Sequence, residues 1–168
     1  MSKIIIYKAG KIVEPEKTSL DFRMEWWKPS LSSLIPPGKS VKYIIYSLFY
    51  FAGIFKSRHY GLVRAFQEKE PLASMLVVPA NYKWPFMGKD DVQFTYVMTS
   101  KKHRGLGLAW QMIYKASKEL KQVTDFWYVT DTSNPSSMRL AEKMGFKVFS
   151  ENVEKKAPLG VLKVVRHV

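Results

Sequence analysis

"TSKKHRGLGLAWQMIYKASKEL", residues 99–120, runs from a polar turn through two glycines into a helical pattern. From Gly107 onward, apolar residues fall at 108, 109, 112, 113, 116 and 120, one face of an amphipathic helix. Packing does not call for two glycines behind Lys101, Lys102, His103 and Arg104 at a helix entrance. An anion at that entrance does. The first turn of a helix has free N–H groups and a partial positive charge, and glycines let an anion approach the backbone. Ordinary turns also use glycine, so the stretch alone leaves both readings open.

The segments around it set the order of elements. "VQFTYVMTS" (92–100) is rich in β-branched and aromatic residues and reads as a central strand. "DFWYVTDT" (125–132) is the strand that follows the helix. "NPSSMRLAEKMGF" (134–146) reads as a second helix, with Asn134 at the cap, Pro135 in the first turn and Gly145 past the end. "GFKVFSEN" and "LGVLKVVRHV" close the chain as strands.

Upstream, "KIIIYK" (3–8) reads as a first strand, and 60–70 and 71–80 as two strands joined by a turn at Glu68-Lys69-Glu70-Pro71. Residues 81–91 read as a loop. Trp26-Trp27 and the prolines at 29, 36 and 37 suggest a compact irregular segment. An apolar helix is expected over 41–55, capped by Ser40. The result is an α/β (α+β) layer domain with a largely sequential sheet.

Composition bounds the function. At 168 residues a single domain with a real core is expected. Without cysteine there is no disulfide framework and no thiolate metal site. His59, His103 and His167 are too scattered for zinc, so no metal is expected. The net charge of +13 points to an anionic partner. It is spread evenly, with 14 Lys+Arg against 7 Asp+Glu in 1–90 and 13 against 7 in 91–168. There is no basic tail. No signal peptide is visible, and 41–55 is shorter than the roughly 20 residues a spanning helix needs, so a cytoplasmic location is expected.

Two familiar phosphate motifs fit the opening stretch poorly. A P-loop ends in Gly-Lys-Ser/Thr, whereas Gly107 is followed by Leu108-Ala109. The dinucleotide fingerprint needs a third glycine and a strand near the start of its unit. A third pattern fits better. Arg104-Gly105-Leu106-Gly107-Leu108-Ala109 resembles the Arg/Gln-x-x-Gly-x-Gly/Ala signature of the GCN5-related N-acetyltransferase (GNAT) superfamily. Asn134, Ser137, Leu140, Lys143, Gly145 and Phe146 resemble that family's second segment, position by position. The two motifs come in the family's order, and the resemblance covers about 60–155.

The resemblance implies one GNAT-like domain over 1–168, with an acceptor-side region (1–57) and a core (60–155). Its mixed, mostly antiparallel sheet would splay between the family's fourth and fifth strands, here 92–99 and 125–132, with helices on both faces. It implies acetyl-CoA, or another acyl-CoA, as co-substrate. The pyrophosphate would sit on backbone amides of Arg104, Gly105, Leu106, Gly107, Leu108 and Ala109. The pantetheine would pair with Val97, Met98 and Thr99, and Asn134 and Ser137 would lie near the pantetheine arm or thioester. The family reaction is attack of an amine on the thioester carbonyl, with a base, a polarising backbone N–H and an acid for the thiolate.

Here the chain departs from the pattern. The tyrosine that many members carry after the matched leucine is Ala141. Tyr128, Ser137 or a water are the substitutes for the acid. Asp91 and Tyr96 are the candidates for the base, with a solvated turn as the plainer reading of Asp91. Gln93 cannot act as a base but could position an acceptor.

The acceptor side is aromatic: Trp26, Trp27, Tyr43, Tyr46, Phe49, Tyr50, Trp84 and Phe86 serve either as core or as a pocket. "YKWPFMGKDDVQFTYVMT" (82–99) resembles GNAT-type proteins of bacterial polysaccharide biosynthesis. With the basic charge, this favours a small amine-bearing acceptor such as an amino sugar or a nucleotide-linked amino sugar. The rival readings are a catalytically silent acyl-CoA-binding module and a basic binder of membrane surfaces or nucleic acid. No nucleic-acid motif is present, and a homodimer is left open.

Overall fold

Strand β5 (Val92–Thr99) is the axis of the molecule, and its neighbours follow from its burial. In the computed structural model, residues 3–16, 20–55, 57–84, 86–151, 153–154 and 163–164 are described. The remaining elements are β1 (Ile4–Ala9), β2 (Arg23–Trp27), α1 (Ile44–Phe51), β3 (Gly61–Gln67), β4 (Glu70–Pro79), α2 (Ala80–Lys83), α3 (Leu108–Glu119), β6 (Phe126–Asp131), α4 (Pro135–Lys143), β7 (Lys147–Glu151), β8 (Val153–Glu154) and β9 (Lys163–Val164). Seven strands form one mixed sheet in the order β2-β3-β4-β5-β6-β1-β7. Every pairing in it is antiparallel except β5 with β6.

Helices cover both faces. On one, Leu108, Met112, Ile113 and Ala116 of α3 and Ala141 of α4 join Val92, Phe94, Phe126 and Tyr128 in the main core. On the other, Tyr43 ahead of α1 packs with Leu62 and Leu76, while Ala80 and Trp84 pack with Ile6 and Trp127. The 3.6-residue spacing read from the sequence is the buried face of α3, and Gly107 begins it. Asn134 caps α4 as expected: its Oδ1 accepts from the Ser137 N–H at 3.1 Å.

Five expectations change. The strand read to residue 80 ends at Pro79, and the stretch read as a loop from 81 starts inside helix α2 (Ala80–Lys83). Residues 23–27 are a strand, not irregular chain, lying antiparallel to β3 with Glu25 opposite Arg64; those side chains meet at 3.2 Å. The helix expected over 41–55 is a 3-10 turn (41–43) followed by α1, and the Ser40 side chain makes no cap bond. The turn of the 60–80 hairpin is Glu68-Lys69 alone, since Glu70 and Pro71 already belong to β4. The sheet is sequential from β2 to β6, but β1 is inserted between β6 and β7 and pairs with both. Of the closing strand expected in 159–168, residues 163–164 pair with 153–154, and the others lie outside the described residues.

Candidate active site

The site begins where β5 leaves β6. These parallel strands pair only at Val92–Phe126, Gln93–Trp127 and Phe94–Tyr128. β5 runs on to Thr99 and β6 to Asp131, so beyond Phe94 the two diverge. A bulge marks the place. On the β4 side, Leu76 pairs with Thr95 and Ser74 with Met98, so Tyr96 and Val97 together face Met75. Tyr96 takes φ +50, a left-handed conformation uncommon for a non-glycine residue. A bulge bends its strand and raises the local twist. From Thr95 to Thr99, β5 therefore has a paired strand on the β4 edge and none on the β6 edge. An extended ligand can use those backbone groups as a strand would.

The glycine turn follows directly. The carbonyl of Thr99 accepts from Arg104 Nε at 3.3 Å. Ser100 Oγ and His103 Nδ1 lie 2.7 Å apart, bracing the 3-10 turn 101–103. Gly105 and Gly107 have φ +82 and +72, and a Cβ at either would meet nothing within 4 Å. Their need for glycine is conformational, with open space beyond it. The first bond of α3 runs from the Gln111 N–H to the Gly107 carbonyl, so the N–H groups of 108–110 have no partner within the helix. Leu108 is buried and anchors this end in the core. Arg104, Gly105, Leu106 and Gly107 are exposed, as are Lys101 and Lys102. Together they form an exposed basic turn at the unpartnered N–H groups of a helix start.

The proposed catalytic residues fall in three places. Tyr128 lies on the α3/α4 face, buried, with its hydroxyl 2.8 Å from Ser137 Oγ at the start of α4. Burial pushes its pKa up, and the Ser137 bond offsets part of that rise. Tyr96 lies on the opposite face, more than half exposed, edge-on to Tyr43 at 5.9 Å. Burial, then the hydrogen bond and charge of Tyr96, raise the Tyr43 phenol to about 12. Asp91 is elsewhere. It enters β5 from the far end, about 25 Å along the strand from Thr99 at ordinary strand rise. It is buried rather than solvated, and its Oδ2 accepts from the Trp127 indole N–H and the Gly88 N–H, both at 2.7 Å. It lines a separate cavity of about 400 Å³ with Lys8, Phe86 and Trp127.

Gln93 is engaged too, its Oε1 accepting from the Trp84 indole at 3.0 Å. The aromatic residues do not gather in one pocket: Tyr43, Tyr46 and Trp27 belong to one cluster, Trp84 to a second, Trp26 to the main core. Thr95, the first residue of the unpaired stretch, was not singled out by the sequence, because the loss of its neighbour depends on a strand thirty residues away. Among the described residues no group of three or more His, Asp or Glu could hold a metal.

A strand that splays from a parallel neighbour and delivers a basic glycine turn to a helix N-terminus is the arrangement the motif resemblance implied; the bulge at Tyr96 is an addition the structure makes. The sequence matches the acetyltransferase (GNAT) family over residues 21–146. The chain belongs to the GNAT acetyltransferase family. The match reaches further toward the N-terminus than the motifs did, and takes in β2 and α1. Members of the family use acetyl-CoA as co-substrate.

Solved structures share the GNAT fold. A GNAT-family acetyltransferase from Colwellia psychrerythraea superposes with a TM-score of 0.56 at 12% identity, covering 90% of this chain and 53% of that one. A GCN5-related N-acetyltransferase from Kribbella flavida gives 0.51 at 13%, covering 89% and 55%. A transcriptional regulator from Bacillus halodurans gives 0.51 at 17%, covering 80% of this chain and all of its own. Several of the matched structures are longer, and this chain spans only 49% to 61% of their length. No curated protein sequence matches it.

Proposed function

We propose that this chain is an acetyl-CoA-dependent N-acetyltransferase whose acceptor is the primary amine of a small molecule, such as an amino sugar or a nucleotide-linked amino sugar. The carrying observation is the split in β5, paired on both edges to Phe94 and on one edge beyond it, directly ahead of the glycine turn. In this reading the turn from Arg104 to Ala109 holds the pyrophosphate through backbone N–H groups. Lys101, Lys102 and Arg104 raise the local potential. The free edge of Val97, Met98 and Thr99 aligns the pantetheine arm, and a backbone N–H of the bulge polarises the thioester carbonyl. Held in place, the two reactants need little further ordering.

The chemistry then balances around two phenols. The amine nitrogen bonds to the thioester carbon, and the carbon–sulfur bond breaks. Tyr96, on the open face beside Tyr43, orients the incoming amine and the water that takes its proton. The Tyr128 hydroxyl gives its proton to the departing sulfur and is resupplied through Ser137. The raised Tyr128 pKa keeps this donor protonated at neutral pH. Asn134 holds the α4 N-terminus beside it. Asp91, just ahead of β5, serves in this reading as the buried anchor that pins Trp127 of β6, not as the base. Ala141 is fully buried against the main core, so a tyrosine at this position would have to displace packed neighbours.

The basic surface and the resemblance of 82–99 to polysaccharide-biosynthesis proteins support the amino-sugar class. The test is release of free thiol from acetyl-CoA in the presence of a panel of amines. Amine-dependent release, with amino sugars ahead of polyamines, is expected. Thiol release no faster with any amine than with water would leave a silent acyl-CoA-binding module.

A further inference from the structure

Helix α1 is built inside out. Toward the sheet it turns Ser47, whose hydroxyl donates to the Leu34 carbonyl at 2.6 Å, on the same side as Tyr43 just before it. Toward solvent it turns Ile45, Leu48 and Phe51. Val41 ahead of the helix and Ile54 behind it continue the outward stripe, and these five side chains are between 42% and 67% exposed. Leu31, in the loop that Ser47 ties to the helix, is 87% exposed. Scattered exposed apolar residues are ordinary, but a continuous stripe on one helix is a docking surface. The inner side of the helix is already satisfied, with Tyr43 and Tyr46 packed on Leu62 and Leu76, so the outward apolar side chains are in excess of what the protein's own core uses.

The charges around it select the occupant. From Trp26 to Gln67 the sequence has no Asp or Glu, and it has six Lys and Arg: Lys28, Lys39, Lys42, Lys56, Arg58 and Arg64. Lys42 lies within the stripe and is exposed, Lys28 and Arg58 are exposed, and Arg58 sits 5.1 Å over the Tyr50 ring of α1. Arg64 is answered by Glu25, but the other five cations leave an excess, and a second copy of this chain would bring the same excess of positive charge to the contact. A bilayer with anionic headgroups supplies both the apolar layer and the opposite charge. No helix among the described residues is long and apolar enough to cross a membrane, so the contact is interfacial. We infer that the 31–54 segment docks α1 on an anionic lipid surface, with Ile45, Leu48 and Phe51 entering the headgroup boundary and Lys39, Lys42 and Arg58 facing the phosphates. This inference does not depend on the acyl-transfer reading.

The experiment is co-sedimentation of the full chain with vesicles of phosphatidylcholine alone and of phosphatidylcholine with 30% phosphatidylglycerol. Binding to the anionic vesicles and not to the neutral ones is expected, weakening steeply as salt rises. Lys39→Glu with Lys42→Glu should weaken it roughly thirtyfold or more, and Ile45→Asp with Leu48→Asp should abolish it. These side chains lie outside the core, so circular dichroism and acetyl-CoA titration should match the parent. Absence of vesicle binding, equal binding to neutral vesicles, or binding indifferent to both double variants would overturn the inference. So would a stable dimer by sedimentation equilibrium that the Ile45/Leu48 variant disperses. Failure of the parent to bind acetyl-CoA would count against the acyl-transfer reading and leave the vesicle result standing.

Discussion

The two halves of β5 are one strand with opposite physics. Val92, Gln93 and Phe94 have a strand on each side and are buried. Phe94 stacks on Phe126 at 5.5 Å. The polar groups here are answered inside the protein: Trp84 donates to Gln93, and Trp127 donates to Asp91. From Thr95 to Thr99 one edge has no strand, Tyr96 and Met98 are exposed, and the backbone is bent by the bulge. Burial on both edges fixes where the strand lies. Removal of one neighbour leaves the same backbone with a free edge, and the closed half holds the open half in place.

Substitutions can break that contrast in order of expected size. Phe94→Ala empties a fully buried aromatic site in the closed half and should lower stability by about 3–5 kcal/mol, read by denaturant unfolding. Gly107→Glu leaves the closed half alone. It places a carboxylate at the mouth of α3 and should weaken acetyl-CoA binding on the order of a hundredfold while the chain stays folded. Gly107→Asn, which tolerates positive φ without the charge, should retain most of the affinity.

Tyr128→Phe should lower kcat by about tenfold or more with acetyl-CoA affinity unchanged. Burial raises this phenol above its ordinary value, so it remains a donor as pH rises through neutrality, and any loss it causes should appear only above about pH 10. Met98→Ala, on the open half, should change stability by less than about 0.5 kcal/mol. A Met98→Ala loss comparable to that of Phe94→Ala would erase the distinction between the halves.

What the sequence made legible is what is local. The glycine turn, the α3 stripe and the Asn134-Pro135 start of α4 each lie within a few residues, and their physics acts over that range. The burial of Asp91 was not legible, because its partner Trp127 is 36 residues away. Nor was the insertion of β1 between β6 and β7, which depends on the two ends of the domain meeting. The strand at 23–27 was hidden by the prolines after it, although Met24-Glu25-Trp26-Trp27 has strand-forming aromatics. The 41–55 helix was read too long because its apolar run continues past Gly53, which takes φ +70 just after α1 ends. The placement of Tyr96 at a bulge had no local signal, since nothing in Thr-Tyr-Val announces a left-handed residue.

The central claim is that the open half of β5 and the glycine turn after it hold acetyl-CoA. The most direct measurement is a calorimetric titration of the chain with acetyl-CoA at low and at moderate salt. Saturable one-to-one binding that weakens with salt is the predicted result, because part of the attraction is between phosphates and an exposed basic turn. No heat of binding at either salt, from protein shown to be folded, would contradict it. Residues 99–120 would then be a helix entrance and nothing more.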